Sequence, residues 1–169
     1  GPQAGIILGK REYLDAIKKN PLMRAIRVDK LTIAALEATL KDYLDEEGAS
    51  KRIPTLQMLT MPKEEIERRS RALVRRINRV DNQGLWEITI EDDYSQVGGG
   101  ALPLEQIPTK IIAIGSSKLS SDSLEQSFRQ YDPPILGRIH KERLCFDLRT
   151  VQVDEEMDIL RAFKRLAAG

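Results

Sequence analysis

Apolar positions recur with two different periods along this chain, and the periods divide it into elements. Between Arg11 and Lys19, Tyr13, Leu14 and Ile17 share one side of a short amphipathic helix. Asn20-Pro21 ends that element and starts the next, since asparagine caps well and proline is tolerated in a first helical turn. From Leu31 to Leu44, Ile33, Leu36, Leu40 and Leu44 recur at three- and four-residue steps and predict a helix with one buried stripe. Asp45 to Ser50 is polar and reads as a stop and an insertion loop. Ile53-Pro54 to Thr60 is expected to be extended, because the residue before a proline is pushed out of the α region. Pro62 followed by Glu64 and Glu65 predicts a helix start, and the stripe Ile66, Leu73, Ile77 and Val80 carries that helix to about Val80.

Period two takes over at Trp86, where Trp86, Ile88 and Ile90 alternate with polar neighbours and predict a strand over 85–91. Gln96 to Ala101 interrupts it, and Lys110 to Ile114 predicts a second strand. Asp122 with Glu125 three residues later resembles a capping box for a helix burying Leu124 and Phe128, which Asp132-Pro133-Pro134 breaks. Ile135–Ile139 and the alternation Leu144, Phe146, Leu148 predict two strands joined at His140-Lys141-Glu142. Asp154 is expected to cap a last helix that buries Ile159, Leu160, Phe163 and Leu166. From residue 53 onward, helices therefore group on one side of a mostly antiparallel sheet, and the fold class is α+β. Near the start, Ile6-Ile7-Leu8 reads as a short strand finishing an element that began earlier. Gly1-Pro2 would equally suit a remnant of tag cleavage.

Composition narrows the function classes. The 169 residues are 41% apolar and 31% charged, as in an ordinary globular chain. Twenty-seven Lys and Arg against 26 Asp and Glu give no global case for nucleic-acid or membrane binding, so any such surface must be local. The single Cys145 excludes an internal disulfide and suits a reducing compartment. No apolar run approaches the roughly 20 residues of a membrane span, and a cytoplasmic location is expected.

Among candidate chemical groups, Arg24 and Arg27 stand three apart and share a face if Pro21 begins a helical turn. Two guanidinium forks side by side suit a phosphate; pairing with Asp29 or other carboxylates is the structural alternative. Gly98-Gly99-Gly100 lacks the strand–loop–helix context of a nucleotide site, leaving a flexible loop or backbone that lies close to a ligand or subunit. Arg68, Arg69, Arg71, Arg75, Arg76 and Arg79 decorate the 63–80 helix, either as a solvated face or as an RNA-backbone patch. His140 and Cys145 lack the partners of a metal or nucleophile site. Arg138 and Arg149 could each serve a site or half of a buried pair, such as Asp147 with Arg149.

Six ordered motifs, GPQAGIILGK, NPLMRAIRVDKLTIAALEATL, IPTLQML, SQVGGGALP, DPPILGRI and LCFDLRTV, resemble the C-terminal part of bacterial selenocysteine synthases. The resemblance spans essentially the whole chain and implies a fold-type-I pyridoxal 5'-phosphate enzyme. Residues 1–30 would be a remnant of the large cofactor domain, and 31–169 a small C-terminal domain entered by a long helix. The implied reaction converts seryl-tRNA(Sec) to selenocysteinyl-tRNA(Sec) with selenophosphate as donor, in a cytoplasmic homo-oligomer of dimers. Positions matching Arg24 and Arg27 would hold the donor's phosphate, with Arg138 a tentative third. The lysine that binds the cofactor in this family stands just before GPQAG and has no counterpart here, so the chain alone is expected to be inactive. A related sugar-acid-phosphate lyase, and a non-enzymatic α+β module that binds a small ligand or RNA, are the alternatives.

Overall fold

A computed structural model of the chain, describing residues 1–81, 83–97 and 105–168, places its apolar positions in two separate units, Gly1–Gln57 and Met58–Gly169. The boundary expected at residue 30 lies inside the first of them. That unit contains helices α1 (Arg11–Lys19), α2 (Leu22–Ile26), α3 (Lys30–Asp42) and α4 (Glu46–Arg52); α5 (Pro54–Thr60) runs on into the second. Ile6-Ile7-Leu8 forms no strand: no strand lies among the described residues of this unit to pair with it, and all three side chains are exposed.

Two more readings of the first unit are corrected. The polar run Asp45–Ser50 is not a loop but the start of α4. Asp45 Oδ1 accepts from the Gly48 N–H at 3.0 Å, and Glu46 and Glu47 stand at the positive end of the helix. At the other end, Arg52 turns back onto Asp42 and Asp45 at 2.9 and 3.1 Å. The stretch from Pro54 is likewise helical. Only Ile53 is extended (φ −92°, ψ 110°), because the restriction falls on the residue before proline while Pro54 itself suits a first helical position.

The second unit is an α+β layer. Helix α6 (Lys63–Val80) is followed by β1 (Trp86–Gln96) and β2 (Gln106–Ser116), then by α7 (Ser121–Arg129). A short β3 (Arg138–His140), β4 (Arg143–Asp147), a 3-10 turn over Leu148–Thr150 and α8 (Glu156–Ala168) complete it. The strands form one antiparallel sheet in the order β1-β2-β4-β3. Register turns Trp86, Ile88, Ile112, Ile114, Leu144 and Phe146 to one face, where α6, α7 and α8 supply Ile66, Leu73, Ile77, Leu124, Phe128, Ile159 and Phe163. Phe163 is the hub, meeting Trp86 and Phe128 edge-on at centroid distances of 5.4 and 4.9 Å, a favoured aromatic geometry.

Details of the caps differ from expectation. Ser120, not Asp122, caps α7, its Oγ accepting from the Ser123 N–H at 3.2 Å, while Glu125 pairs along the helix with Arg129. At the entry to α8 the side-chain acceptor is Glu155, which takes the Gln152 N–H at 2.7 Å; Asp154 lies in the turn before the helix. The strand expected from Ile135 begins only at Arg138, and the alternation ends at Asp147, so Leu148 is buried from the 3-10 turn. Gly137 is required where the chain enters β3. A Cβ there would stand 2.5 Å from Leu144 Cδ1 and 2.8 Å from Phe146 Cε1.

The β3–β4 hairpin closes through Lys141 and Glu142, both left-handed (φ 50° and 58°). Two positive-φ residues are the signature of a two-residue hairpin turn that favours Asn-Gly, and neither lysine nor glutamate suits it. Changing the pair to Lys141→Asn with Glu142→Gly should therefore raise unfolding stability, by about 1–2 kcal/mol from relief of left-handed strain. Urea denaturation of wild type and variant checks this.

Candidate functional site

The two arginines singled out by spacing lie in the first unit. Asn20 Oδ1 accepts from the Leu22 N–H at 3.0 Å, and Pro21 is already helical (φ −56°, ψ −28°), so the Asn-Pro pair starts α2 as expected. Arg24 sits within that helix and Arg27 is its C-terminal cap. Arg27 leaves the helix through its ψ of 136°, but its φ of −64° is helical. Because the direction of Cβ depends on φ, Arg27 still starts from helical spacing relative to Arg24.

The structural alternative was that Asp29 neutralises these arginines. Instead Asp29 caps α3, with Oδ1 accepting from the Thr32 N–H at 2.9 Å and Oδ2 from Thr32 Oγ1 at 3.0 Å. The backbone bond first, and the hydroxyl second, hold the Asp29 carboxyl below its ordinary pKa. Among the described residues neither guanidinium takes part in a hydrogen bond or ion pair, and both residues are exposed. Each fork is therefore available to an oxyanion.

Arg138 belongs to the second unit, on the sheet face opposite the core. It reaches from β3 to Asp93 on β1, and Arg143 reaches from β4 to Thr89 Oγ1 (2.9 Å) and Glu91 Oε1 (2.6 Å). Arg143, and then Thr89, hold the Glu91 carboxyl below its usual range. Register places Ile111, Ala113 and Cys145 in the strands these bridges cross, and all three are buried. Burial also raises the Cys145 pKa, which disfavours the thiolate a nucleophile would need. His140 is exposed at the end of β3. Gly98-Gly99-Gly100 lies outside the described residues.

Two arginines, Arg69 and Arg149, are buried. Arg69 is only 5% exposed, so it belongs neither to a solvated face nor to an RNA-backbone patch on α6. Its guanidinium donates to Glu156 Oε1 at 2.8 Å and to the carbonyls of Leu148 and Val151 at 3.1 and 2.6 Å. Its position is legible in hindsight, because residue 69 falls between Ile66 and Leu73 on the apolar stripe. Arg149 does not bridge to Asp147 as one reading had it. Asp147 accepts from the Arg149 backbone N–H and from Ser95 and Thr109, while the guanidinium donates to the carbonyls of Met58, Met61 and Pro108 at 2.7–2.9 Å. Burial draws the Arg149 pKa below the ordinary arginine value, partly offset by Asp147. These are structural clamps that tie the end of α5 and the start of β2 to the turn after β4.

A polar cleft between the start of α7 and the β3–β4 turn is lined by Glu87, Ser116, Ser120, Asp122, Lys141 and Arg143. Two of its hydroxyls are already engaged: Ser120 caps α7, and Ser116 Oγ accepts from the Lys118 and Leu119 N–H groups. Among the described residues no group of three or more His, Cys, Asp or Glu could hold a metal ion, and no helix is long and apolar enough to cross a membrane. A pyridoxal group needs a lysine amine free to form an imine. Only Lys63 and Lys110 are other than exposed, and Asp92 holds both, so the described residues do not form such a site by themselves.

Comparison with known proteins adds to this geometry. The family described as L-seryl-tRNA selenium transferase matches residues 1–152. The L-seryl-tRNA(Sec) selenium transferase of Alkaliphilus metalliredigens is 50% identical over 167 residues, covering 99% of this chain and 35% of that protein. Those of Geobacter sulfurreducens and Clostridium botulinum (strain 657) are 44% and 42% identical, again over 98–99% of this chain and 36% of theirs. The chain thus spans about a third of the length of the curated relatives it matches.

Proposed function

The chain belongs to the L-seryl-tRNA selenium transferase family, and we propose that it is the C-terminal region of an enzyme converting seryl-tRNA(Sec) to selenocysteinyl-tRNA(Sec) with selenophosphate as donor. The observation that carries this reading is coverage. Relatives bearing that activity in their names align with 98–99% of the chain at 42–50% identity. In this reading residues 1–30 are the end of the large pyridoxal-phosphate domain and 31–169 the small C-terminal domain. The cofactor is held mainly by residues outside this stretch, since the lysines within it do not fit the role. The stretch by itself is inactive, and the intact enzyme is a cytoplasmic oligomer of dimers. The apolar residues left exposed in the first unit, Ile6, Ile7, Leu22 and Ile26 among them, support burial against further protein.

Within that enzyme Arg24 and Arg27 bind the donor. Two unpaired, exposed guanidinium groups one helical turn apart can each offer paired N–H donors to the oxygens of a phosphate, with charge attraction that a neutral site lacks. Arg138 is the weaker candidate because Asp93 already occupies it. The reading is tested with the full-length protein, seryl-tRNA(Sec) and selenophosphate. Selenocysteinyl-tRNA is expected as product. A full-length protein that leaves seryl-tRNA unchanged and instead cleaves a sugar-acid phosphate would overturn it.

A further inference from the structure

We propose that the C-terminal halves of α6 and α8 form a ridge that binds the phosphate backbone of the RNA substrate, an inference that rests on the tRNA reading above. From Ala72 to Val80 the chain holds Arg75, Arg76 and Arg79 and no carboxylate; from Ile159 to Ala168 it holds Arg161, Lys164 and Arg165 and no carboxylate. The two stretches lie side by side. Arg69 meets Glu156, Arg76 donates to Met157 Sδ, and Gln83, just beyond α6, donates to the Ala167 carbonyl, so the helices run in the same direction along a shared seam. One turn on from Arg76 is Arg79, and one and two turns on from Met157 are Arg161 and Lys164, which puts these three beside the seam, Arg161 paired with Asp158 at 2.9 Å; Arg75 and Arg165 stand further round the outer surfaces of the same two helices.

The cations at the other end of α6 behave differently. Arg68 is paired with Glu65 and Arg71 with Glu67, as expected of a solvated helix surface. Arg75, Arg79, Lys164 and Arg165 are exposed and, among the described residues, take part in no hydrogen bond or ion pair. Helix dipoles favour cations only in the last turn, whereas Arg75, Arg76 and Arg161 lie before it. What remains is four cations without carboxylate partners, Arg75, Arg79, Lys164 and Arg165, on the C-terminal halves of two adjacent helices in a chain whose net charge is only +1. Phosphates spaced along a nucleic-acid strand are the chemistry that such a ridge fits, and arginine the residue that grips them best. The surface carries no aromatic platform, so it positions the RNA without reading its bases.

The test uses full-length protein and a labelled seryl-tRNA(Sec) transcript, with binding measured by fluorescence anisotropy across a salt series. Replacing Arg75, Arg79, Lys164 and Arg165 together by glutamine should raise Kd about 10- to 100-fold and reduce the slope of log K against log salt by about 3–4, since each lost phosphate contact removes just under one unit. The paired-cation control Arg68→Gln/Arg71→Gln should keep the wild-type slope. The charge-conserving Arg75→Lys/Arg79→Lys should bind nearly as wild type, which separates lost charge from lost folding. An unchanged slope in the quadruple variant, with wild-type conversion of seryl-tRNA intact, overturns the ridge and leaves the transferase reading in place. A charge-dependent loss of binding by a protein that forms no selenocysteinyl-tRNA overturns the transferase reading and supports the RNA surface.

Discussion

Replacing Arg149 by leucine should cost about 3–5 kcal/mol of unfolding stability, the range for removing one member of a buried charged network. Arg149 is 4% exposed, and its guanidinium donates to three backbone carbonyls, those of Met58, Met61 and Pro108, and to Ser95 Oγ at 3.2 Å. Leucine fills part of the volume but supplies no N–H, and a carbonyl shielded from water and left without a partner costs roughly 1–3 kcal/mol, most at the half-buried Met58 and Met61. Met58 and Met61 lie at the C-terminal end of α5, where carbonyls have no intrahelical donors, so the arginine acts as that helix's cap from a distant part of the sequence. Arg149→Lys should lose less, because an ammonium can satisfy some of these acceptors but cannot span all of them. The single tryptophan, Trp86, is buried in the second unit, so urea titration followed by its fluorescence reports on that unit. An Arg149→Leu variant with an unchanged midpoint would contradict the clamp.

Phe163→Ala is expected to be comparably severe, again about 3–5 kcal/mol, the usual cost of emptying a fully buried phenylalanine site. The ring is 0% exposed and joins Trp86 on β1 to Phe128 on α7, so its loss opens a cavity where α8, α7 and the sheet converge. Conservative Phe163→Leu keeps most of the volume and should cost roughly 1–1.5 kcal/mol. Thermal unfolding of the pair separates the two. If alanine and leucine are equally well tolerated, the aromatic hub is not what holds α8 to the sheet.

The contrast between these residues shows what the sequence makes legible. Phe163, Trp86, Ile66 and Leu73 were readable because apolar side chains at period 3.6 or 2 have one physical destination. The α+β order and the one-sided helix layer followed from them. Arg149 and Arg69 were not readable in the same way, since an arginine's ordinary place is the surface and its burial depends on acceptors far away in the chain. Short polar helices were missed for a related reason. Nothing apolar marks α4, whose signal is Asp45 at the cap with acids first and Lys51 and Arg52 last. In α5 the restriction that proline places on Ile53 alone extends wrongly to the whole stretch to Thr60, whereas Pro54 itself opens the helix. For the candidate site, spacing alone left Arg24 and Arg27 between a phosphate grip and a pairing with Asp29. The local fold removes the Asp29 pairing, because Asp29 is spent on Thr32, and leaves the phosphate role to the measurement below.

The central claim is that a selenium-transfer enzyme uses Arg24 and Arg27 to hold its donor, and the most direct measurement is the selenophosphate dependence of selenocysteinyl-tRNA formation by the full-length protein. Arg24→Ala and Arg27→Ala should each raise KM for selenophosphate about 10- to 100-fold, the effect of losing a charged hydrogen-bond pair. The cofactor's visible spectrum and the affinity for seryl-tRNA should stay at wild-type values. Variants that saturate at the wild-type donor concentration would contradict the claim and return both arginines to the protein's surface.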